Sequence, residues 1–233
     1  MTKTEIINAK DVKKTYSDHG VDVFAVRGID LTIDSGEFTA IVGPSGSGKT
    51  TFLNSISGLD TPTEGVIILD GKELGKMNGK ELSDMRRDNI GFIFQSYNLI
   101  PVLTVEENVE YIMMLQGVST AERKKRVSRI LKEVELEGFE KRFPPQLSGG
   151  QQQRVAVARA MVSKPKLILA DEPTANLDSK TSNGLLDMMK RLNKETNMTF
   201  LFSTHDPLIM KKADRVITLK DGKIESDEKK STD

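Results

Sequence analysis

Short apolar runs of the β type dominate the first part of the chain. They are bounded by polar turns rich in Gly, Asp and Ser, such as those at 17–20 and 34–36. The predicted strands span residues 5–8, 21–26, 29–33, 37–42, 66–69 and 90–94. We expect the first three to form an antiparallel β layer that leads into the apolar strand 37–42.

The pattern changes to helical periodicity from about residue 104 to residue 139. Val105, Val109 and Ile112 recur at helical spacing, and a basic amphipathic segment follows at 123–133. Beyond it, helical segments and apolar strands alternate, which indicates a parallel sheet with crossover helices. These helices are predicted at 151–162 and 181–193, and the strands at 167–170, 199–203 and 216–219.

The two halves together predict an α/β fold with a mostly parallel sheet, an N-terminal antiparallel β layer and an inserted α-helical lobe. We expect one domain over residues 1–224. The sheet and the β layer would come from 1–95 and 160–224, and the helical lobe from about 96–159. The polar and charged residues 225–233 are predicted to be a flexible tail.

One glycine-rich segment carries the clearest chemical signal. It consists of Gly43, Pro44, Ser45, Gly46, Ser47, Gly48, Lys49 and Thr50, and it fits the G-x-x-x-x-G-K-[ST] pattern of a phosphate-binding loop (P-loop) between a strand and a helix. Glycines permit left-handed torsions that turn N–H groups toward an anion. Lys49 is placed to bridge outer phosphates, and the Thr50 hydroxyl to ligate magnesium. A flexible Gly/Ser loop is the alternative.

A second apolar strand, 167–170, ends at two adjacent carboxylates, Asp171 and Glu172. Sheets of α/β proteins deliver side chains to their ligands at the carboxyl ends of strands. Asp171 is therefore the expected magnesium partner of Thr50, and Glu172 is placed to polarise a water in line with a γ-phosphate. Taken without the P-loop, the pair would indicate only a strand that meets a turn.

A second glycine-flanked helix start occurs at Ser148, Gly149, Gly150 and Gln151, before a helix rich in small apolar residues. A helix N-terminus with a hydroxyl beside it offers a second anion site. The alternative is a plain capping motif, in which Ser148 only starts the helix.

Composition excludes several classes of function. Lys plus Arg and Asp plus Glu each number 34, so no net field favours nucleic acid, and no nucleic-acid partner is expected. The absence of cysteine excludes disulfides, thiolate zinc sites and thiol nucleophiles, and it suits a reducing cytoplasm. No apolar run approaches the roughly 20 residues needed to cross a bilayer.

These motifs resemble those of the nucleotide-binding subunit of ATP-binding cassette (ABC) transporters, over about residues 6–224. They follow the family's order: the P-loop, Gln95 after a strand, residues 147–151, Asp171 with Glu172, the run Ala175-Asn176-Leu177-Asp178, and His205 in Ser203-Thr204-His205-Asp206. The resemblance implies a homodimer that sandwiches two ATP molecules with Mg²⁺ and hydrolyses ATP to ADP and phosphate.

The resemblance also implies a role for each motif. Glu172, His205, Lys49 and Gln95 would act in catalysis. ATP would contact Tyr16 at the adenine, Gly43, Pro44, Ser45, Gly46, Ser47, Gly48, Lys49, Thr50 and Thr51, and Ser148, Gly149, Gly150 and Gln151 of the partner copy. Thr50, Gln95 and Asp171 would bind Mg²⁺, and Ser148, Gly149 and Asp178 would lie at the dimer interface. The structural alternatives are a half-buried Tyr16, a turn residue at His205 and a helix cap at Asp178.

The runs 86–95 and 98–109 resemble the group of lipoprotein-releasing, macrolide- and peptide-exporting and antimicrobial-peptide-resistance ATPases. The group works with separate permease chains. The resemblance thus implies a subunit on the cytoplasmic face of the cell membrane that drives a permease to export or extract a lipoprotein, peptide or drug.

The apolar cluster of Tyr97, Leu99, Ile100 and Leu103 is predicted to dock the permease, with buried core as the alternative. Two other functions stay open. One is a mechanotransmitting or regulatory ATPase that acts through a permease-like protein without transport, and the other is a soluble cassette.

Overall fold

The computed structural model describes residues 4–18 and 21–230, which form two β-sheets and the helices packed on them. The first sheet is antiparallel and has the strand order β2-β1-β4-β5. Its strands are β1 (Glu5–Asp18), β2 (Val21–Asp34), β4 (Glu64–Leu69) and β5 (Lys72–Glu73). This sheet is the predicted antiparallel β layer.

The second sheet has six strands in the order β10-β9-β3-β8-β7-β6, and every neighbouring pair except β9 with β10 is parallel. The mostly parallel sheet is therefore confirmed. Its strands are β3 (Phe38–Val42), β6 (Ile90–Ile93), β7 (Leu167–Asp171), β8 (Thr199–Thr204), β9 (Arg215–Lys220) and β10 (Lys223–Lys229).

Seven α-helices connect these strands within the described residues. They are α1 (Lys49–Ile56), α2 (Gly79–Asn89), α3 (Val105–Leu115), α4 (Thr120–Glu133), α5 (Gly149–Met161), α6 (Ser179–Thr196) and α7 (Pro207–Lys212). Helices α2 and α7 were not predicted from the sequence. A capping box of Asn78 with Glu81 marks the start of α2 and is a signal that could have revealed it.

The hydrophobic core has two parts, one on each face of the parallel sheet. Phe38, Phe200 and Phe202 face α3, α4, α5 and α6, whereas Ile41 and Leu201 face α1 and the antiparallel sheet. Alternate side chains of β3 and β8 thus pack against opposite layers, as strand geometry requires. Side chains of the helical lobe belong to the same apolar cluster as one face of the sheet, so the lobe and the sheet share one continuous core on this face.

Two sequence predictions about the strands were wrong. The runs 21–26 and 29–33 are one strand, β2, which pairs with β1 through several register shifts, and Gly28 takes φ 86° within it. β1 extends far beyond residue 8 to Asp18, so Ser17 and Asp18 of the polar turn predicted at 17–20 belong to a strand. His19 and Gly20 of that turn lie outside the described residues.

The predicted flexible tail is also corrected, because most of it forms the edge strand β10. Arg215 on β9 holds this strand through two hydrogen bonds of 2.7 Å to the carboxylate of Asp227. The same guanidinium contacts Glu37 at 3.0 Å, and the Arg215 and Glu37 side chains are 9% and 7% exposed. The bond to Arg215 holds the pKa of Asp227 below its usual value, and the bond to Asp227 raises the pKa of Arg215.

No helix in the described part of the chain combines the length and the apolar character that a membrane crossing requires.

Replacing Asp227 with Asn tests the attachment of β10. We expect Asp227→Asn to lower the free energy of unfolding by about 1–3 kcal/mol in urea denaturation at pH 7, because Arg215 loses a charged partner. The folded-state pKa of Asp227 is lowered, so its contribution is present at neutral pH and disappears as the pH falls below about 4. Glu228→Gln, an exposed carboxylate on the same strand, is the control. Equal stability of the two variants would contradict this role.

Candidate functional site

Four parallel strands bring the predicted catalytic residues to one edge of the sheet. In the register of these strands Val42 pairs with Thr204, Asp171 with Ser203, and Ile93 with Ala170. Residues just beyond their carboxyl ends therefore emerge side by side. They are the P-loop after β3, His205 after β8, Asp171 and Glu172 at the end of β7, and Gln95 after β6.

The P-loop is fixed by close backbone contacts. A Cβ on Gly43 (φ 152°) would lie 2.1 Å from the carbonyl oxygen of Leu219, and one on Gly48 (φ 98°) would lie 2.3 Å from that of Ala25. Neither position has space for a side chain. Pro44, Ser45 and Gly46 are exposed and form the rim of the loop.

The start of α1 fits a polyphosphate. Its N-cap residue, Gly48, makes no side-chain capping bond, and the first N–H groups of a helix have no acceptor within it. The hydroxyl oxygen of Ser47 is buried and has no hydrogen-bond partner among the described residues. Unpaired donors beside the positive end of a helix dipole are the chemistry that binds phosphate.

Lys49 and Thr50 occupy the first turn of α1. The Lys49 side chain lies across the loop and donates to the carbonyl oxygens of Gly43 (2.8 Å) and Pro44 (3.1 Å). The hydroxyl of Thr50 lies 3.5 Å from a carboxylate oxygen of Asp171, and their shared role as ligands of one cation stays a prediction. Hydroxyl and carboxylate oxygens suit Mg²⁺. Thr51 follows, half-buried.

Gln95 follows β6, which places it at the same end of the sheet as Thr50 and Asp171. Its side chain is exposed, and its carbonyl oxygen accepts a bond of 2.9 Å from Asn176. Among the described residues no hydrogen bond links the Gln95 side chain to Thr50 or Asp171. Its roles in binding metal and in catalysis stay predictions.

The two carboxylate oxygens of Glu172 contact the last residue of β8 and the residue that follows it. One carboxylate oxygen is 2.6 Å from Nδ1 of His205, and the other accepts a bond of 2.9 Å from the hydroxyl of Thr204. A carboxylate only accepts, so the first contact requires a hydrogen on Nδ1. Glu172 takes φ 44°, a left-handed conformation that is uncommon outside glycine. The contact with Thr204 was not predicted from the sequence.

Tyr16 lies on β1 and is 42% exposed. Its hydroxyl donates to Asp60 (2.7 Å), and the ammonium of Lys14, 4.9 Å from the ring centroid, binds the other oxygen of that carboxylate. Burial and the bond to Asp60 raise the pKa of Tyr16. The exposed ring is held in one orientation, which suits stacking on a base. Lys14 and Asp60 were not predicted, because their contact joins residues far apart in sequence.

The glycine-flanked start of α5 is a capping box within this chain. The hydroxyl of Ser148 accepts from the N–H of Gln151, whose side chain accepts from the N–H of Ser148. A Cβ on Gly149 would lie 2.9 Å from the Tyr97 hydroxyl, and one on Gly150 would lie 2.5 Å from Thr181. No hydrogen bond among the described residues joins this segment to the P-loop.

Asp178 has the structural role named as its alternative. Its carboxylate caps α6 by accepting from the N–H groups of Lys180 and Thr181 at 3.0 Å, and from the Thr181 hydroxyl at 2.6 Å. These bonds, led by the hydroxyl, lower the pKa of Asp178. A role at a dimer interface remains a prediction for Asp178, as it does for Ser148 and Gly149.

The predicted docking cluster is half-buried. Tyr97, Leu99, Ile100 and Leu103 all have intermediate exposure, and Leu99 packs against the core shared with the helices. Arg159 donates to the carbonyl oxygens of Tyr97 and Asn98, both in the left-handed region. Burial lowers the pKa of Arg159. The neighbouring Val102 is 77% exposed, so this loop presents a largely exposed apolar side chain.

The fold and the site define a P-loop nucleotide triphosphatase. Residues 26–175 match the family model described as ABC transporter. The chain is 47% identical over 228 residues to an uncharacterized ABC transporter ATP-binding protein of Methanocaldococcus jannaschii, with 96% of this chain and 97% of that protein covered. It therefore belongs to the family of ABC transporter ATP-binding proteins, whose reaction is ATP hydrolysis.

Two further comparisons agree with this assignment. A solved dimeric structure of a post-hydrolysis state of the ATP-binding cassette MJ0796, bound to ADP and Pi, has a TM-score of 0.89 and 45% identity, covering 97% of this chain and all of that one. The macrolide export ATP-binding/permease protein MacB of Brucella melitensis is 42% identical over 227 residues. The match covers 97% of this chain but only 35% of MacB.

Alanine at two P-loop glycines tests the close contacts. We expect Gly43→Ala to weaken ATP binding by at least about tenfold, because the new methyl group would displace the loop from Leu219. Gly46→Ala is the matched control, since its Cβ has open space and only the backbone strain of φ 79°. Titration with a fluorescent ATP analogue measures both affinities. A loss at Gly46 equal to that at Gly43 would contradict this account of the loop.

Proposed function

We propose that the chain is the ATP-hydrolysing subunit of a membrane transporter, closing as a dimer around two ATP molecules and driving a permease. The observation that carries the proposal is the arrangement of Glu172 and His205 at the same sheet edge as Lys49, Thr50 and Asp171. Hydrolysis of a triphosphate needs a loop that binds the phosphates and groups that orient the attacking water. Here a P-loop, a carboxylate and a histidine lie at the ends of adjacent strands.

The proposed mechanism assigns a separate task to each residue. The amides of the P-loop and Lys49 hold the β- and γ-phosphates. Thr50, Asp171 and Gln95 would hold Mg²⁺, which neutralises charge on the phosphates when it is bound. Glu172 orients the attacking water and accepts its proton, while His205 contacts the γ-phosphate.

His205 must change either its contacts or its protonation state to do so. While Nδ1–H bonds Glu172, a neutral ring has only an acceptor at Nε2, which repels a phosphate oxygen. His205 therefore bonds the γ-phosphate either as a charged imidazolium or after turning Nδ1–H away from Glu172. Its side chain is 74% exposed, so rotation meets little packing resistance.

Dimerisation is supported by the difference between the two glycine-flanked helix starts. The first N–H groups of α1 face a loop without a side-chain cap, whereas the start of α5 is closed by Ser148 and Gln151 and is not bonded to the P-loop. Within the described part of the chain, no hydrogen bond connects the two starts. A second copy that places Ser148, Gly149 and Gly150 against the first copy's γ-phosphate would unite them. The related solved cassettes are described as dimeric.

A membrane permease is the proposed partner, reached from the cytoplasmic face. MacB, which joins an ATP-binding segment similar to this chain to a permease in one protein, supports export as the direction. The proposed cargo is a lipoprotein, a peptide or a drug. Val102 and its half-buried neighbours Tyr97, Leu99, Ile100 and Leu103 are the proposed docking surface.

The Glu172→Gln variant tests hydrolysis and dimerisation together. We expect the rate of ATP hydrolysis to fall by about 100-fold or more, because the amide cannot accept the proton. ATP should remain bound, so the variant should elute as a dimer with ATP and Mg²⁺ in size-exclusion chromatography, and as a monomer without nucleotide. A variant that binds ATP and stays monomeric would contradict the proposed sandwich.

Val102→Glu tests the docking surface. We expect it to reduce co-sedimentation with membranes of the source cell by about tenfold, because a carboxylate would have to be buried in an apolar contact. Basal ATPase activity should be retained. Val21→Glu, at a position 65% exposed on β2, is the control for a charge at an exposed valine. Equal membrane binding of both variants and the native chain would place the permease elsewhere.

A further inference from the structure

Thr204 is a fully buried residue that contacts the carboxylate of Glu172. It ends β8, its exposure is 0%, and its hydroxyl donates to Oε2 of Glu172 at 2.9 Å. The same hydroxyl accepts the backbone N–H of Asp206 at 3.0 Å. A hydroxyl has a single hydrogen, and this N–H occupies its acceptor side, so the hydrogen is directed to Glu172.

The contact of Glu172 with His205 is of a different kind. Oε1 of Glu172 lies 2.6 Å from Nδ1 of a His side chain that is 74% exposed, while the Glu172 side chain itself is 16% exposed. The imidazole can leave this contact without opening the core. Thr204 cannot leave its own, because its backbone is paired in the sheet and its side chain is buried. The two oxygens of Glu172 therefore differ in how firmly they are held.

Further hydrogen bonds fix the backbone around Thr204 and Glu172. Asp206 accepts from the hydroxyl of Thr174 at 2.6 Å and caps α7 by accepting from the N–H of Leu208 at 2.8 Å. The N–H of Glu172 donates to the carbonyl of Ser203 at 2.9 Å. These bonds are needed, since Glu172 takes φ 44° and such a conformation persists only where surrounding contacts impose it.

We propose that Thr204 is a positioning residue that orients the Glu172 carboxylate for hydrolysis. It holds Oε2, so that Oε1 is the oxygen that accepts the water proton once His205 has turned to the γ-phosphate. The inference rests on the proposed role of Glu172. It adds that the orientation of the base depends on a buried hydroxyl of the adjacent strand and survives the movement of His205.

Three variants distinguish an effect of the Thr204 hydroxyl on catalysis from an effect on folding. Thr204→Val keeps the shape and the β-branch but removes the hydroxyl, and Thr204→Ser keeps the hydroxyl. Thr39→Val is the matched control: Thr39 is also fully buried in a strand, β3, and its hydroxyl donates to Glu37 at 2.9 Å, near the opposite end of the sheet. Steady-state ATPase kinetics, ATP affinity and thermal unfolding are measured for all three.

We expect Thr204→Val to lower kcat by roughly 10- to 100-fold with KM for ATP changed less than about twofold, because the base is misaligned while the phosphate loop is intact. Thr204→Ser should restore kcat to within about threefold of the native value. Thr39→Val should share any stability loss without the loss of kcat. A kcat for Thr204→Val equal to that of Thr39→Val overturns the proposal, as does a Ser variant as slow as the Val variant.

The folding of Thr204→Val and the activity of Glu172→Gln also decide between the possible outcomes. If Thr204→Val does not fold, Thr204→Ala replaces it, and failure of both to fold shows that the hydroxyl is structural and overturns the proposal. Glu172→Gln separates this inference from the proposed function. Retained activity in that variant refutes the role of Glu172 itself, whereas its loss together with an active Thr204→Val refutes only the positioning role.

Discussion

The parallel register of β3, β8, β7 and β6 is the constraint on which the site depends. The strands end nearly level, so residues that are remote in sequence emerge next to one another at one edge. Shifting a strand by one residue would turn its side chains to the opposite layer. β3 and β8 are buried along their whole length, so such a shift would disrupt the packing of both layers and, with it, the alignment of the P-loop, Glu172 and His205.

The antiparallel sheet contributes to the site as well as to the core. The carbonyl of Ala25 on β2 approaches Gly48 on one side of the P-loop, and the carbonyl of Leu219 on β9 approaches Gly43 on the other. The phosphate loop is thus confined by strands from two sheets, and its glycines are required by these close approaches as much as by a ligand. The same sheet presents the ring of Tyr16, which Asp60 holds in place.

Hydrogen bonding also distinguishes parts of the site that are similar in sequence. Two helices start after glycine-rich segments, yet α1 begins without a side-chain cap and α5 begins with a closed capping box. Likewise, Glu172 has two partners, but Thr204 is buried and His205 is exposed. At Glu172, a contact fixed by burial therefore lies beside a contact that an exposed side chain can leave.

The sequence by itself determined the P-loop, the carboxylates at the end of β7 and the α/β class, because each depends on residues that are close together in the chain. Tertiary structure decided what depends on distant pairing. Polar residues 225–229 form β10 because Arg215 and the edge of β9 were available to them, and residues 21–34 form one strand because β1 pairs along it. The contacts of Thr204 with Glu172 and of Asp60 with Tyr16 join segments more than 30 residues apart, a distance that local periodicity does not encode.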